Sequence, residues 1–209
     1  MDLSLYVLTD ERLSLGRSDA QVVSEAISGG ATIIQYRHKG GGERRMTRDA
    51  AELLAVCRSG GVPLIINDRL DVALACGADG VHIGQDDLDP AAARSLAGPD
   101  FIIGVSVRTP EECRDARESG ADYLAANGIF STATKTDFGE PLGLEGLKTL
   151  AEAAELPLVA IGGIRDENAA DVIRSGADGV AVISCVVSDP DIAGRCRALL
   201  AAIEEGRRG

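Results

Sequence analysis

Apolar runs of five to seven residues, rich in Val, Ile, Leu and Ala, alternate along this chain with longer stretches whose apolar positions recur at helical spacing. Read as strands, the runs fall at residues 3–9, 32–37, 63–67, 80–84, 101–107, 123–129, 157–162 and 179–185. The helical stretches fall at 19–28, 47–59, 69–76, 90–96, 110–119, 144–154, 168–175 and 190–204. Asp89-Pro90 and Asp189-Pro190 each set an acidic cap before a proline at the first helical position. The pattern is eight strands and eight helices in strict alternation.

An internal repeat sharpens the count. Every even-numbered strand is entered through one phrase: Gly30-Ala31-Thr32, Gly77-Ala78-Asp79, Gly120-Ala121-Asp122 and Gly176-Ala177-Asp178. Gly closes the preceding helix in a left-handed cap, Ala fits against the sheet, and the strand begins. Each interval holds two βα units. A doubly wound open sheet has the same alternation, but no GxGxxG turn follows the first strand. Eight units with an even repeat favour a closed (β/α)8 TIM barrel, one compact domain over 1–209. The long loops after strand two (39–45) and strand six (127–144) stand out as functional. In such barrels the site lies at the C-terminal ends of the strands, with phosphate often held after strands seven and eight.

Composition narrows the partners. Only 3% of residues are aromatic and Trp is absent, so the core is aliphatic, as suits strands covered on both faces. The net charge of −12 provides no basic field for nucleic acid or anionic membranes, but leaves room for small phosphorylated substrates held by local cations. Cys57, Cys76, Cys113, Cys185 and Cys196 lack CxxC spacing and read as reduced thiols. With an acidic start unlike a signal peptide and no apolar run long enough to span a bilayer, a cytoplasmic protein is expected. Self-association into a homo-oligomer is left open.

The chemistry centres on residues 63–89. Two strands there end in Asn67-Asp68 and in Gln85-Asp86-Asp87, which places carboxylates on one edge of the sheet. Asn67-Asp68 could bind a metal or cap the next helix. Asp89 already serves as a cap, so Asp86 and Asp87 have no evident structural task. Hard oxygen donors without a His or Cys cluster suggest Mg²⁺. His82 reads as a hydrogen-bonded interior residue. After strand two, alternation sets Gln35, Arg37 and Lys39 on one side of the chain and Tyr36 and His38 on the other. Ser106 ends strand five. The hydroxyl-rich loop 130–136 carries Lys135, and Gly162-Gly163 with Ile183-Ser184 looks like a phosphate cradle of backbone N–H groups. Two anion sites follow. One is metal-assisted, near Asp68, Asp87, Arg37 and Lys39; the other is metal-free, near Gly163 and Ser184.

The segments 6–10, 35–39, 65–87, 104–106, 132–135, 160–164 and 182–184, in this order, resemble the thiamine phosphate synthases (thiamine-phosphate pyrophosphorylases), a family shared with thiazole tautomerase. The resemblance implies a barrel that joins 4-amino-2-methyl-5-hydroxymethylpyrimidine diphosphate to hydroxyethylthiazole phosphate. The pyrimidine–diphosphate bond would ionise first, and the thiazole nitrogen would capture the cation. It implies Asp68 and Asp87 as Mg²⁺ ligands. Arg37, Lys39, Ser106 and Lys135 are the implied catalytic residues, holding the diphosphate with Asn67. Gln35 faces the pyrimidine; Thr132, Thr134, Gly163, Ile183 and Ser184 receive the thiazole phosphate. The family's two prolines before the TxTK element are missing from Asn127–Thr132, which should loosen that loop. A thiazole tautomerase would place a His where this chain has Gly128; a non-catalytic phosphate-binding regulator is the remaining rival.

Overall fold

The computed structural model describes residues 1–38, 40, 42–132 and 139–209. Its strands are β1 (Leu5–Leu8), β2 (Ile33–Tyr36), β3 (Leu64–Asn67), β4 (Gly80–Ile83), β5 (Ile102–Val107), β6 (Tyr123–Asn127), β7 (Leu158–Ile161) and β8 (Gly179–Val182). They pair in parallel, in sequence order, and β8 returns to β1 to close the barrel. The helices are α1 (Asp19–Ser28), α2 (Glu43–Gly60), α3 (Leu70–Cys76), α4 (Pro90–Ala97), α5 (Pro110–Glu118), α6 (Gly143–Ala153), α7 (Asp166–Arg174), α8 (Ser184–Val187) and α9 (Ile192–Arg208). The expected (β/α)8 architecture is present.

Period-two alternation sorts the strand residues into two cores. Leu5, Val7, Ile34, Tyr36, Leu64, Ile66, Val81 and their counterparts face outward and pack under the helices. Tyr6, Leu8, Ile33, Ile65, Tyr123, Ala125, Val159 and Ala181 fill the barrel interior.

The repeated phrase has a defined structural task. Gly77 ends α3 with φ 73°, and the amide of Ala78 then reaches back to the carbonyl of Ala73 at 3.0 Å, a Schellman-type closure. Asp79 next makes two bonds to Leu64 at the start of β3: its amide donates to the Leu64 carbonyl at 3.0 Å, and its carboxylate accepts the Leu64 amide at 2.8 Å. Asp122 grips Ile103 and Asp178 grips Leu158 in the same way, and Thr32 uses its hydroxyl on Leu5. Four equivalent clamps thus tie each odd strand to the next even one at the N-terminal face.

Two local readings need correction. The last major helix begins at Ile192, not Pro190. Asp191 caps it by accepting the Gly194 amide at 2.8 Å, while Asp189 accepts the Asp191 amide and pairs with Arg195. The eighth strand ends at Val182, and residues 184–187, expected to continue it in part, form the extra turn α8. Asp89 does cap α4, accepting the Ala92 amide at 2.9 Å.

Candidate active site

The C-terminal ends of the strands surround a cavity of about 700 Å³, a size ordinary for a small-molecule site. Of the predicted site residues, Gln35, Arg37, Asn67, Asp68, Asp87, Ser106, Thr132, Gly163, Ile183 and Ser184 all line it. Lys39, Thr134 and Lys135 lie outside the described residues.

Arg37 leaves β2 pointing inward, as alternation requires, and is only 6% exposed. Its Nη1 donates to Asp10 Oδ2 at 2.6 Å, while Thr9 Oγ1 accepts its backbone N–H at 3.1 Å. The buried Nη2 has no partner among the described residues. A buried guanidinium N–H without an acceptor is costly, so this donor could take an oxyanion from the cavity. Tyr36 and His38, on the opposite side of the chain, stack on each other with ring centroids 6.0 Å apart and do not line the cavity.

Asp68 does not cap α3; that helix starts behind Arg69 with no side-chain cap. Its backbone sits instead at φ 62°, in the left-handed region that a non-glycine residue seldom occupies. Its amide donates to the His82 carbonyl at 2.8 Å, and the Arg69 amide closes a three-residue turn on the Asn67 carbonyl at 2.7 Å. The turn carries Asp68 to the cavity wall. Strain held in place by β-sheet bonds is a common feature of functional positions.

Asp87 has a task that the sequence did not disclose. Its Oδ2 accepts the Gly84 amide at 2.8 Å, and its own amide donates to the Gly84 carbonyl at 3.2 Å. This fixes the turn after β4 and orients the carboxylate from within its own loop. Asp68 and Asp87 face one cavity, although among the described residues no group of three or more His, Cys, Asp or Glu is assembled for a metal. Two hard carboxylates on one cavity fit Mg²⁺, which keeps several waters or phosphate oxygens.

The opposite rim is made of backbone. Gly162 and Gly163 have φ of 113° and 66°, and a Cβ on Gly163 would press on Phe130 and the Ser131 carbonyl at 2.8 Å. The glycines therefore seat the loop after β6 as well as facing the cavity. That loop has no proline before its TxTK element, yet its described part is tied down: the Phe130 amide donates to the Gly162 carbonyl at 2.9 Å. Arg108 also donates to the Asn127 and Glu140 carbonyls on either side, at 2.6 and 2.7 Å. Ser184 opens α8, whose first amides lack intrahelical acceptors. Cys185 lines the cavity too, but burial pushes its thiol up to about 12, so it stands as no nucleophile.

The model of a family described as thiamine monophosphate synthase matches residues 5–186. This chain belongs to that family. It is 50% identical over 203 residues to the thiamine-phosphate synthase of Chloroflexus aurantiacus, covering 97% of this chain and 94% of that one. It is likewise 50% identical to the thiamine-phosphate synthase of Methanoregula boonei, covering 95% of this chain and 92% of the relative. Among solved structures, the thiamine phosphate pyrophosphorylase from Pyrococcus furiosus superposes with a TM-score of 0.90 at 40% identity, over 98% of this chain and 97% of that one.

Three cavity residues of this family member, Tyr6, His82 and Arg165, and Asp10, which does not itself line the cavity, escaped the sequence reading as site residues. Asp10 supports Arg37 across a gap of 27 positions. Tyr6 and His82 face the cavity from mid-strand, where the strand-end rule does not look. Arg165, exposed at the start of α7, brings a cation to the backbone-lined rim. Only Arg165 carried a usable signal, as the charge next to the Gly-Gly turn.

Proposed function

We propose that this protein condenses 4-amino-2-methyl-5-hydroxymethylpyrimidine diphosphate with hydroxyethylthiazole phosphate, giving thiamine phosphate and diphosphate in an Mg²⁺-assisted reaction. The observation that carries the reading is the buried Arg37 Nη2, without a partner among the described residues, on the same cavity as Asp68 and Asp87. A cationic donor and two hard carboxylates together suit a polyanion that departs with its charge, not an uncharged ligand.

Asp68 and Asp87 would hold Mg²⁺, whose chemistry there is neutralising charge on the diphosphate oxygens. Arg37 would bind the same group, with Asn67 and Ser106 beside it; Lys39 and Lys135 belong to this set by family resemblance. Gln35 would face the pyrimidine. The thiazole phosphate would lie across the cavity, where amides around Gly163 and Ser184, together with Ile183 and Thr132, form the rim and Arg165 adds charge; Thr134 joins them by resemblance. No protein nucleophile is needed: the pyrimidine–diphosphate bond would break first, the diphosphate leaving with the electron pair, and the thiazole nitrogen would then bond to the resulting cation.

The tautomerase reading finds no support at residue 128: glycine there adopts φ 79°, a conformation that strains a histidine. We place the enzyme in the cytoplasm on its five cysteines, which form no disulfide, and its net charge of −12. Among the described residues no helix is long and apolar enough to cross a membrane.

The test is to mix the purified protein with both substrates and Mg²⁺ and to follow thiamine phosphate by mass spectrometry. Product should form, stop on adding EDTA, and return with excess Mg²⁺. Folded protein that yields no product would overturn the reading.

A further inference from the structure

We propose that Gln35, Tyr6, Tyr123, His82 and Ser106 form one polarised hydrogen-bond chain through the barrel interior, which couples the ring bound at Gln35 to the proton that Ser106 offers an anion. This rests on the reading above, in which Gln35 meets the pyrimidine and Ser106 the diphosphate. It adds Tyr6, Tyr123 and His82 as positioning residues.

The links are short and continuous. Gln35 Nε2 lies 2.8 Å from Tyr6 Oη; Tyr6 Oη lies 2.9 Å from Tyr123 Oη; Tyr123 Oη lies 3.0 Å from His82 Nδ1; and His82 Nε2 lies 3.0 Å from Ser106 Oγ. Residues from five strands are involved, and Tyr6, Tyr123, Gln35 and His82 are all buried. The sequence makes room for the crossing at one place. His82, Gly104 and Tyr123 sit in register on β4, β5 and β6, and a Cβ on Gly104 would overlap the Tyr123 ring. The missing side chain lets the tyrosine reach over one strand to the histidine on the next.

Each inner member offers one donor and one acceptor along the chain. Burial raises the tyrosine pKa values well above the usual range, so both phenols keep their protons. A neutral imidazole likewise has one N–H and one lone pair. The direction of the first bond therefore sets the direction of all the others. With Gln35 Nε2 donating, Tyr6 donates to Tyr123, Tyr123 donates to His82 Nδ1, and His82 Nε2–H donates to Ser106. The Ser106 proton is then free for an anion. Gln35 Oε1 is left buried with no partner among the described residues. An amino group on a bound ring would satisfy it. If the amide turns over, Oε1 accepts from Tyr6, every bond reverses, and Ser106 spends its proton on His82. A ring presenting an acceptor to Gln35 favours that second state. The aminopyrimidine thus primes the group that binds its own diphosphate.

Binding of inorganic diphosphate with Mg²⁺ tests this, measured alone, with 4-amino-2-methylpyrimidine, and with its 4-oxo analogue. The amine should tighten diphosphate binding by about fivefold, and the oxo analogue should not. In Tyr123→Phe, which keeps the ring and alters no cavity-lining residue, the coupling should fall to none while each ligand still binds. Equal coupling by both analogues, or coupling retained in Tyr123→Phe, would overturn the chain. The nitrogen-15 NMR signals of His82 read the relay separately from affinity. The amine should favour the Nε2–H tautomer and the oxo analogue the Nδ1–H tautomer, with Tyr123→Phe abolishing the difference. A doubly protonated ring, or a tautomer that no ligand moves, counts against the proposal. If neither ligand binds the unmodified protein, the site reading fails, and the tautomer's response to Gln35→Glu, which can only accept at this end, decides the relay: a shift to Nδ1–H upholds it and no shift overturns it.

Discussion

At the end of the barrel where the strands begin, Asp79, Asp122 and Asp178 each accept an amide near the start of a neighbouring strand. At the end where the strands finish, Asp10 pairs with a buried arginine, Asp68 sits on strained backbone at φ 62°, and Asp87 closes its own turn against Gly84. The first group repeats one geometry on the sheet, to which Asp122 adds an ion pair with Arg94 of α4. The second group repeats nothing: each acid is fixed differently, and Asp68 and Asp87 face an open cavity. A carboxylate at the start of the strands completes the scaffold; at their finish the scaffold holds the carboxylate for something else. Position along the strand, not residue type, separates the two kinds.

The most direct way to break this contrast is to neutralise acids at the cavity. Asp68→Asn and Asp87→Asn keep a side chain that tolerates the left-handed backbone or accepts the Gly84 amide, so the fold should lose little. Turnover should fall by about a hundredfold or more, with the melting temperature changed by only a few degrees. A large melting shift with turnover preserved would move either residue into the scaffold class. At the other end, Asp79→Ala removes the acceptor for the buried Leu64 amide. A loss of about 1–2 kcal/mol is expected, seen as a fall of roughly 3–6 °C in melting temperature, while kcat of the folded fraction stays unchanged.

The scaffold acids were the more legible of the two. The Gly-Ala-Asp phrase recurs in sequence because the same clamp recurs in space, so local periodicity reported a tertiary bond. The rim was legible as a place, since strand ends can be counted, and Gln35, Arg37, Asp68, Asp87 and Ser106 were found there. What each rim residue touches was not. Arg37 meets Asp10 from the loop after β1, and Tyr6 meets Tyr123 across 117 positions. No pattern of spacing encodes pairs that only barrel closure brings together. Asp87 failed for the opposite reason. Its bond to Gly84 is local, but a three-residue side-chain turn has no sequence mark that separates it from a free loop acid. Asp189-Pro190 failed because Asp191 offers an equally good cap two residues on.

Asp19 offers the mildest and sharpest test, because it stands near the same end as the cavity rim yet does not line the cavity. It opens α1, and one carboxylate oxygen is buried with no partner among the described residues. Burial, aided by the nearby Glu11, raises its pKa to about 6. The folded protein thus binds this proton more tightly than the unfolded chain does, so stability must fall as pH rises between about 4 and about 6. Asp19→Asn removes that dependence. Its advantage over the unmodified protein should be near zero at pH 4, grow up to pH 6, and level off above at about 1 kcal/mol, after allowance for the part of the group that water screens. Thermal melts from pH 4 to pH 8 read this directly. An advantage that is flat with pH would mean Asp19 is already ionised and paired in the folded state. A matching loss of turnover would place it with the acids of the cavity, and position at the strand ends alone would then suffice to mark a functional carboxylate.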